Sequence, residues 1–167
     1  VSLDTYNKND PIMDYTIEKS DINRVAISNL LHKIKGLLSQ ARIIVNQDSD
    51  IELSHHYGIE NIASTGAVLI DCINQEYCKK ILVMAPNQVH PEHYHIRKKE
   101  SFQVLWGDLD FTKNSVKMKL KPGDIVTIEK LEKHSFSTNN GVVFEEISTT
   151  AYSNDSVYSD EKINKMN

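Results

Sequence analysis

Two histidines separated by a single residue constrain this chain more than any other feature of its sequence. On a β-strand, side chains two residues apart point to the same side, so His93 and His95 would direct both imidazoles at one point. Glu100 follows after a short basic stretch, at the start of a β-forming run over 102–106. Two neutral nitrogens and one carboxylate oxygen suit a divalent transition metal. The spacing therefore predicts two strands joined by a tight turn, with a metal site between them.

Short β-forming runs punctuated by Gly, Pro and Asn surround these two strands. This pattern is typical of a sandwich or barrel. The adjacent pair His55 and His56 would diverge on a strand, so we assign it a structural role, and we interpret His90 as a turn residue. The further predicted strands are 43–45, 51–58, 67–73, 77–85, 116–120, 124–128 and 142–148.

An amphipathic helix is predicted ahead of the strands. Ser20 and Asp21 offer an N-cap, and the residues after them predict a helix over 21–41 that packs on the barrel or on a partner subunit. We therefore assign residues 1–45 to an N-terminal linker and amphipathic helix, and residues 46–167 to an all-β domain with a C-terminal tail. The apolar residues at helical spacing are Ile27, Leu30, Leu31, Ile34, Leu37, Leu38 and Ala41.

The composition of the chain argues against nucleic-acid and membrane partners. The chain has 167 residues and a formal net charge of −4, which argues against a nucleic-acid surface. The run Arg97, Lys98 and Lys99 is interpreted as a solvated turn. No apolar run is long enough to span a membrane, and the first twenty residues are too charged for a signal peptide. Cys72 and Cys78 are predicted to be buried, reduced thiols, so we expect a cytoplasmic protein.

The order of these residues resembles the cupin superfamily, whose fold is a double-stranded β-helix (a jelly-roll barrel). The first cupin motif, G-x5-H-x-H-x4-E-x6-G, is matched by His93, His95, Glu100 and Gly107, with Asn87 at the leading glycine. Asparagine tolerates positive φ, so this turn can survive. The second motif keeps Gly123 and His134, whereas Glu129, Leu131 and Thr138 replace its Pro, Gly and Asn. The resemblance implies that His134 is the fourth metal ligand, and it leaves the turn before His134 open.

Within the cupins, the chain resembles the D-lyxose isomerase-like group. The resemblance extends over residues 51–95, 98–109, 134–150 and 155–160, including the stretches KKESFQVLWGDL and HSFSTNNGVVFEEISTT. Similar segments form a C-terminal domain of sialic acid (N-acetylneuraminate) synthase-like proteins. The chain begins at Val1 rather than Met, for which a processed N-terminus is one explanation and a fragment of a longer protein is the other. The resemblance favours the second, a domain excised from such a protein and covalently linked to a synthase domain in its full-length form.

This resemblance implies aldose–ketose isomerisation of a sugar at a divalent transition metal, with zinc, manganese, iron and nickel all suited to the ligands. The family pattern E-x-S-[ST]-T implies that Glu146 is the catalytic base. Glu145 lies beside it, and only one of two adjacent strand residues can face inward. A lysine before the metal strand is expected to hold the negative oxygen of the intermediate. Lys80 matches that position better than Lys79.

Two other functions are compatible with the same ligands, because function depends on the rest of the site. One is a non-catalytic sugar-binding or regulatory module of a nonulosonic acid synthase, and the other is an iron dioxygenase. An inward Glu146 beside Lys80 would favour the isomerase. Open sheet edges and the apolar helical stripe also predict a homodimer.

Overall fold

The structure, a computed structural model, describes residues 11–165, with side chains from residue 21 onward. Its helices are α1 (Pro11–Ala41) and α2 (Glu161–Asn164), and a short 3-10 helix spans Ile59–Asn61. Its strands are β1 (Asp50–His55), β2 (Gly66–Asn74), β3 (Tyr77–Met84), β4 (Val89–His95), β5 (Glu100–Gly107), β6 (Leu109–Lys113), β7 (Val116–Leu120), β8 (Ile125–Ile128), β9 (His134–Ser137), β10 (Val142–Thr149) and β11 (Ser156–Tyr158).

These strands form two antiparallel sheets that face each other. The first has the order β1-β2-β3-β10-β5-β8, and the second has the order β11-β4-β9-β6-β7. Chain neighbours such as β4 and β5 lie in different sheets, whereas β4 pairs with β9 and β5 pairs with β10. This topology is the double-stranded β-helix that the sequence predicted.

Side chains from both inner faces fill the barrel. Strands of the first sheet contribute Leu82, Phe102 and Phe144, and the second sheet contributes Phe111 and Phe136. The aromatic rings meet edge to face, for example Phe102 and Phe144 at a centroid distance of 5.2 Å. This apolar core closes one end of the barrel, while the inward positions at the other end are polar.

Helix α1 covers the outer face of the first sheet. Its buried side chains Leu30, Ile34, Leu37 and Leu38 pack against outward residues of β2, β3 and β10, among them Val143. Burying each such side chain contributes roughly 1.5–3 kcal/mol. The predicted amphipathic stripe is confirmed, and it packs on the barrel itself. The central strands β2, β3 and β10 are therefore buried on both faces, which explains their nearly continuous apolar runs.

The helix begins at Pro11 rather than near residue 21, so the predicted N-cap at Ser20 and Asp21 is wrong. Proline is favoured at the first position of a helix, because it has no N–H to leave unpaired and its φ is already helical. The predicted linker over 1–19 is helical from residue 11, and residues 1–10 lie outside the described part of the chain.

Other boundaries also differ from the prediction. The run 43–45 forms no strand, and Ile44 is 98% exposed. Strands β6, β9 and β11 were not predicted. Strand β11 has only three residues and is held by pairing with β4, so no local pattern indicates it.

Two residues occupy turn positions where the cupin motifs have glycine. Asn87 has φ 66° and Leu131 has φ 67°, so both adopt the left-handed conformation. The Leu131 N–H donates to the carbonyl of His95 at 2.8 Å, and the Glu129 N–H donates to the Glu132 carboxylate. These bonds hold the turn that leads into His134, even though leucine replaces the glycine.

None of the helices within residues 11–165 is long and apolar enough to cross a membrane. Cys78 is buried and Cys72 is half-buried, and both are free thiols. The homodimer, the cytoplasmic location and the division of the chain at residue 46 stay predictions.

Replacing Leu131 with Gly should stabilise the protein. A left-handed conformation costs an L-residue roughly 1–2 kcal/mol, part of which is offset by the larger unfolded-state entropy of glycine. Leu131 is 63% exposed, so little packing is lost. We expect a gain of about 0.5–1 kcal/mol in the free energy of unfolding, measured by urea denaturation with chelator present. Leu131→Ala keeps the strained Cβ and should show no gain; equal values for the two variants would contradict this account.

Candidate functional site

Four predicted ligands converge at the polar end of the barrel. Strand β4 contributes His93 and His95, β5 begins at Glu100, and β9 begins at His134, directly across from His93. One ligand atom from each residue lies within 4.8 Å of all the others, and all four side chains are buried. The strand pairing thus brings together residues that are up to 41 positions apart, from His93 to His134.

Backbone carbonyls orient two of the imidazoles. Nδ1 of His93 lies 3.0 Å from the carbonyl oxygen of Pro91, and Nδ1 of His134 lies 3.1 Å from that of Glu132. Because a carbonyl oxygen only accepts, each Nδ1 must carry the proton. Burial lowers the pKa of His93 well below its usual value, aided by the charges of His134 and His90, so its ring is neutral. The free lone pair of His93 is therefore on Nε2.

The ligand atoms that face the centre of the cluster have no hydrogen-bond donor among them. Oε1 of Glu100 lies 3.0 Å from Nε2 of His134 and 3.2 Å from Nε2 of His95. Both Glu100 oxygens and the His134 Nε2 are buried without a hydrogen bond of acceptable geometry. Electron-pair donors that face one another in a buried space require a cation between them. Three imidazole nitrogens and one carboxylate oxygen fit a divalent transition metal.

Lys98 is a site residue that the sequence analysis missed. Its ammonium lies 2.7 Å from Oε2 of Glu100 and 2.8 Å from Oε1 of Glu146, and its side chain is only 9% exposed. The interpretation of Arg97 to Lys99 as a solvated turn is therefore wrong for Lys98. Lys98 precedes Glu100 by two residues, and this same-side spacing was the available signal.

These contacts shift two pKa values. Burial would lower the pKa of Lys98, but the negative charges of Glu146 and Glu100 outweigh it and raise the pKa above its usual value. Burial would also raise the pKa of Glu100, but the positive charge of Lys98 outweighs it and holds the pKa well below its usual range. The site thus contains a fixed ammonium and a fixed carboxylate.

The two adjacent glutamates of β10 face opposite ways. Glu146 points into the barrel, is 2% exposed, and accepts a hydrogen bond from the Ser148 hydroxyl at 3.1 Å. Glu145 points outward and pairs with Lys79 at 3.0 Å. Glu146 and Glu100 are joined through Lys98, so the predicted base and the predicted ligand share one cation.

Lys80 lines the cavity, but its charge is paired with carboxylates other than Glu146. It is the register partner of Glu146 across β3 and β10 and lines the same cavity. Its ammonium, however, pairs with Glu52 and Asp71, each at 2.9 Å. The structure therefore brings Lys98, rather than Lys80, into contact with Glu146.

A β-bulge adds a third inward histidine to β4. The register between β4 and β9 shifts between His90 and His93, so side chains three residues apart both face inward. His90 is buried and stacks on Phe136 at a centroid distance of 4.4 Å, so its interpretation as a turn residue is wrong. Strict two-residue alternation would put His90 on the opposite side of the strand from His93, and the bulge reverses this.

Behind this strand, Ser54 joins two buried histidines. Its hydroxyl lies 3.2 Å from Nε2 of His56 and 3.4 Å from Nε2 of His90. Burial, with a smaller contribution from His55, lowers the pKa of His56 to about 4. His56 is buried and His55 is exposed, so the adjacent pair does diverge as predicted.

The cavity above the ligands has a volume of about 400 Å³, within the roughly 300–1,000 Å³ typical of small-molecule sites. Its floor is the metal cluster with Lys98 and Glu146, and its rim includes Lys80 and Tyr158. The Tyr158 ring stacks against His93 at a centroid distance of 5.3 Å. Polar groups thus line an enclosed space directly above the candidate metal position.

The sequence model of the cupin domain family matches residues 80–145, which include all four candidate ligands. The chain is 23% identical over 176 residues to a D-lyxose/D-mannose isomerase of Thermosediminibacter oceani, covering 87% of this chain and 97% of that protein. It is 27% identical over 139 residues to a D-lyxose ketol-isomerase of Cohnella laeviribosi, covering 66% and 76%.

Solved structures show the same fold. The L-ribose isomerase of Geodermatophilus obscurus superposes with a TM-score of 0.70 at 16% identity, over 85% of this chain and 94% of that one. The L-ribose isomerase of Cellulomonas parahominis with L-ribose gives a TM-score of 0.67 at 15% identity, over 84% and 94%. Residues 80–145 thus match the cupin domain family, the chain is similar in sequence to D-lyxose isomerases, and its fold is that of the L-ribose isomerases. These relatives do not bear on the resemblance to sialic acid synthase-like proteins, which stays a prediction.

Removing one ligand should remove the metal. We expect His95→Ala to lose most of the metal that the parent retains after gel filtration. The variant has only three of the four ligands, and an empty space takes the place of the fourth. Elemental analysis measures the loss. His90→Gln is the matched control, since His90 is a buried histidine of the same strand outside the four-residue cluster. Full metal retention in His95→Ala, or equal loss in both variants, would contradict the ligand assignment.

Stability should fall in mild acid partly through His56. Its folded pKa is about 4 against an ordinary 6.5, so the unfolded chain takes up a proton between these values and the folded chain does not. The free energy of unfolding should therefore decrease as the pH falls from 6.5 to 4, with at most about 3 kcal/mol coming from His56. Urea denaturation of the metal-free protein measures this slope. His56→Gln should flatten it and His55→Gln should not; identical slopes in all three proteins would exclude His56 as a source.

Proposed function

We propose that this chain is a metal-dependent sugar ketol-isomerase, which interconverts an aldose and the corresponding ketose. The observation that carries the proposal is the buried Glu146 carboxylate, which shares the Lys98 ammonium with the candidate ligand Glu100. A metal site alone needs no second buried carboxylate. A proton transfer between neighbouring carbons does need a base inside the cavity. The similarity to D-lyxose isomerases supports the same reaction class.

His93, His95, Glu100 and His134 would hold the metal, whose identity among zinc, manganese, iron and nickel is open. When bound, such a metal supplies Lewis-acid stabilisation of negative charge on the adjacent oxygens of a sugar. The three imidazoles and the carboxylate also define where those oxygens must lie. This position is at the floor of the cavity, beside Lys98.

Glu146 acts as the base in this proposal. Its carboxylate takes the proton from C2 of the open-chain aldose, the C2–H electrons form a C1–C2 double bond, and the C1 carbonyl electrons move to oxygen. The same carboxyl then returns the proton to C1, while the proton of the C2 hydroxyl moves to the oxygen on C1. Ser148 donates to Glu146 and keeps the carboxylate oriented. General base catalysis of this kind contributes about 10²- to 10⁴-fold.

Lys98 has two roles in the proposal. Its raised pKa keeps it charged, and its contact at 2.8 Å holds the Glu146 carboxylate in place inside the cavity. The same positive charge is buried at the floor of the cavity, where it stabilises negative charge that develops on the substrate oxygens. Lys80, paired with Glu52 and Asp71, lies at the rim and would contact the distal hydroxyls rather than the reacting carbons.

The association with a sialic acid synthase remains part of the proposal, as a cupin domain attached to a synthase. In that setting, a non-catalytic sugar-binding role is the alternative to turnover. An iron dioxygenase would use the same four ligands but has no need for the Lys98–Glu146 pair.

Glu146→Gln should abolish proton transfer while keeping the fold and the metal. Glutamine has nearly the same shape but cannot accept the proton, so the turnover rate should fall about 10²- to 10⁴-fold with little change in sugar binding. The measurement is exchange of the sugar's C2 hydrogen in deuterated water, followed by NMR across a panel of aldoses and ketoses with manganese present.

Glu145→Gln is the matched control, because it makes the same change one residue away on the outward face. It should retain the exchange rate of the parent. Equal exchange in the parent and Glu146→Gln would exclude Glu146 as the base. Sugar binding by the parent without exchange would support the binding module, and oxygen consumption with iron(II) would support the dioxygenase.

A further inference from the structure

The segment between β10 and β11 brings a carboxylate against the turn that joins His95 to Glu100. Asp155 is 3% exposed, and its Oδ1 and Oδ2 accept hydrogen bonds from the backbone N–H groups of Arg97 and Lys98 at 2.9 and 3.0 Å. The Ile96 N–H also donates to the Asp155 carbonyl oxygen at 3.3 Å. Three successive residues of the turn are therefore fixed by Asp155.

Asp155 also lies behind one of the metal ligands. Its Oδ2 is 3.9 Å from Nδ1 of His95, and the Ser156 hydroxyl is 3.3 Å from the same nitrogen. His93 and His134 each have a backbone carbonyl two residues earlier to orient the ring. His95 makes no such hydrogen bond. The C-terminal segment supplies the polar partners that local backbone supplies for the other two imidazoles.

The buried charge of Asp155 gives its contact with His95 a second consequence, in addition to anchoring the turn. A carboxylate that is 3% exposed pays a large desolvation cost unless its partners compensate. The partners of Asp155 are two backbone N–H groups, Nε of Arg97 at 3.5 Å, and the side of His95 that faces away from Glu100. A negative charge at that side favours the proton on Nδ1 and leaves the lone pair on Nε2, where a metal needs it.

We propose that Asp155 is a positioning residue of the metal site, which orients His95 and fixes the turn that places Lys98 between Glu100 and Glu146. It lines the cavity and acts through these two residues. The effect on metal binding follows from the contact with His95 alone. The effect on turnover rests on the isomerase function proposed above.

The test compares Asp155→Asn and Asp155→Ala with Asp160→Asn in the full chain. Asp160 is the matched control, because it anchors the same C-terminal segment through Tyr57 and the Lys162 N–H but faces no candidate ligand. Cobalt(II) is titrated into each metal-free protein, and its visible absorption spectrum reports both affinity and ligand geometry. Thermal unfolding of the metal-free proteins measures the purely structural contribution.

We expect both Asp155 variants to bind cobalt about 10- to 100-fold more weakly than the parent, with a shifted spectrum. Asp160→Asn should bind within about twofold of the parent, as expected for a carboxylate outside the site. Asparagine preserves the size of the side chain, so Asp155→Asn keeps the test valid where Asp155→Ala fails to fold. An unchanged affinity and spectrum in Asp155→Asn, with only a lower melting temperature, would overturn the proposal, as would an equal loss in Asp160→Asn.

The second readout is turnover. At saturating metal, kcat of Asp155→Asn should fall by a larger factor than KM rises, because Lys98 and Glu146 act on the reacting carbons. If the parent shows no isomerisation, the proposed function fails, while the cobalt titration still decides the role of Asp155 in the metal site. A normal kcat together with weakened cobalt binding would limit Asp155 to orienting His95 and overturn its role toward Lys98.

Discussion

The buried carboxylate of Glu100 is the charge on which the rest of this site depends. A carboxylate that is 2% exposed is stable inside a barrel only when positive charge or hydrogen-bond donors surround it. Lys98 provides one such charge at 2.7 Å, and a divalent metal held with the three imidazoles would provide the other. Glu146 shares the Lys98 ammonium at 2.8 Å, so the same cation that stabilises Glu100 also stabilises the second buried carboxylate of the cavity.

The central strands of the first sheet are buried on both faces, and this allows one end of the barrel interior to carry charged side chains. Helix α1 covers the outer face, so the inner face can change from apolar at one end to polar at the other without exposing the sheet. Along β10, Phe144 belongs to the core and Glu146, two residues later, belongs to the cavity. The same strand thus supports the barrel and supplies the proposed base, which ties the position of Glu146 to the packing of the core.

Support for the metal site comes from three separate parts of the chain. The carbonyls of Pro91 and Glu132 orient His93 and His134, while Asp155 and Ser156 lie against His95. Fixing ligands from behind in this way is how proteins set both affinity and geometry at a metal. It also explains why the C-terminal segment is ordered against β4, although it carries few apolar residues.

The sequence by itself determined three candidate ligands, because local spacing places His93, His95 and Glu100 together, and the resemblance of its motifs to the cupins implied His134 and the class of fold. It left the inward face of β10 open. Val142 to Phe144 are apolar on both faces, since one face meets the core and the other meets α1, and this removes the alternation from which a face can be predicted. The bulge that turns His90 inward, the burial of Lys98 and the contact of Asp155 with the 96–99 turn were likewise decided only by tertiary structure. Each of them depends on strand pairing or charge compensation between residues 46 to 58 positions apart, as between His90 and Phe136 or Arg97 and Asp155, and no local pattern carries that information.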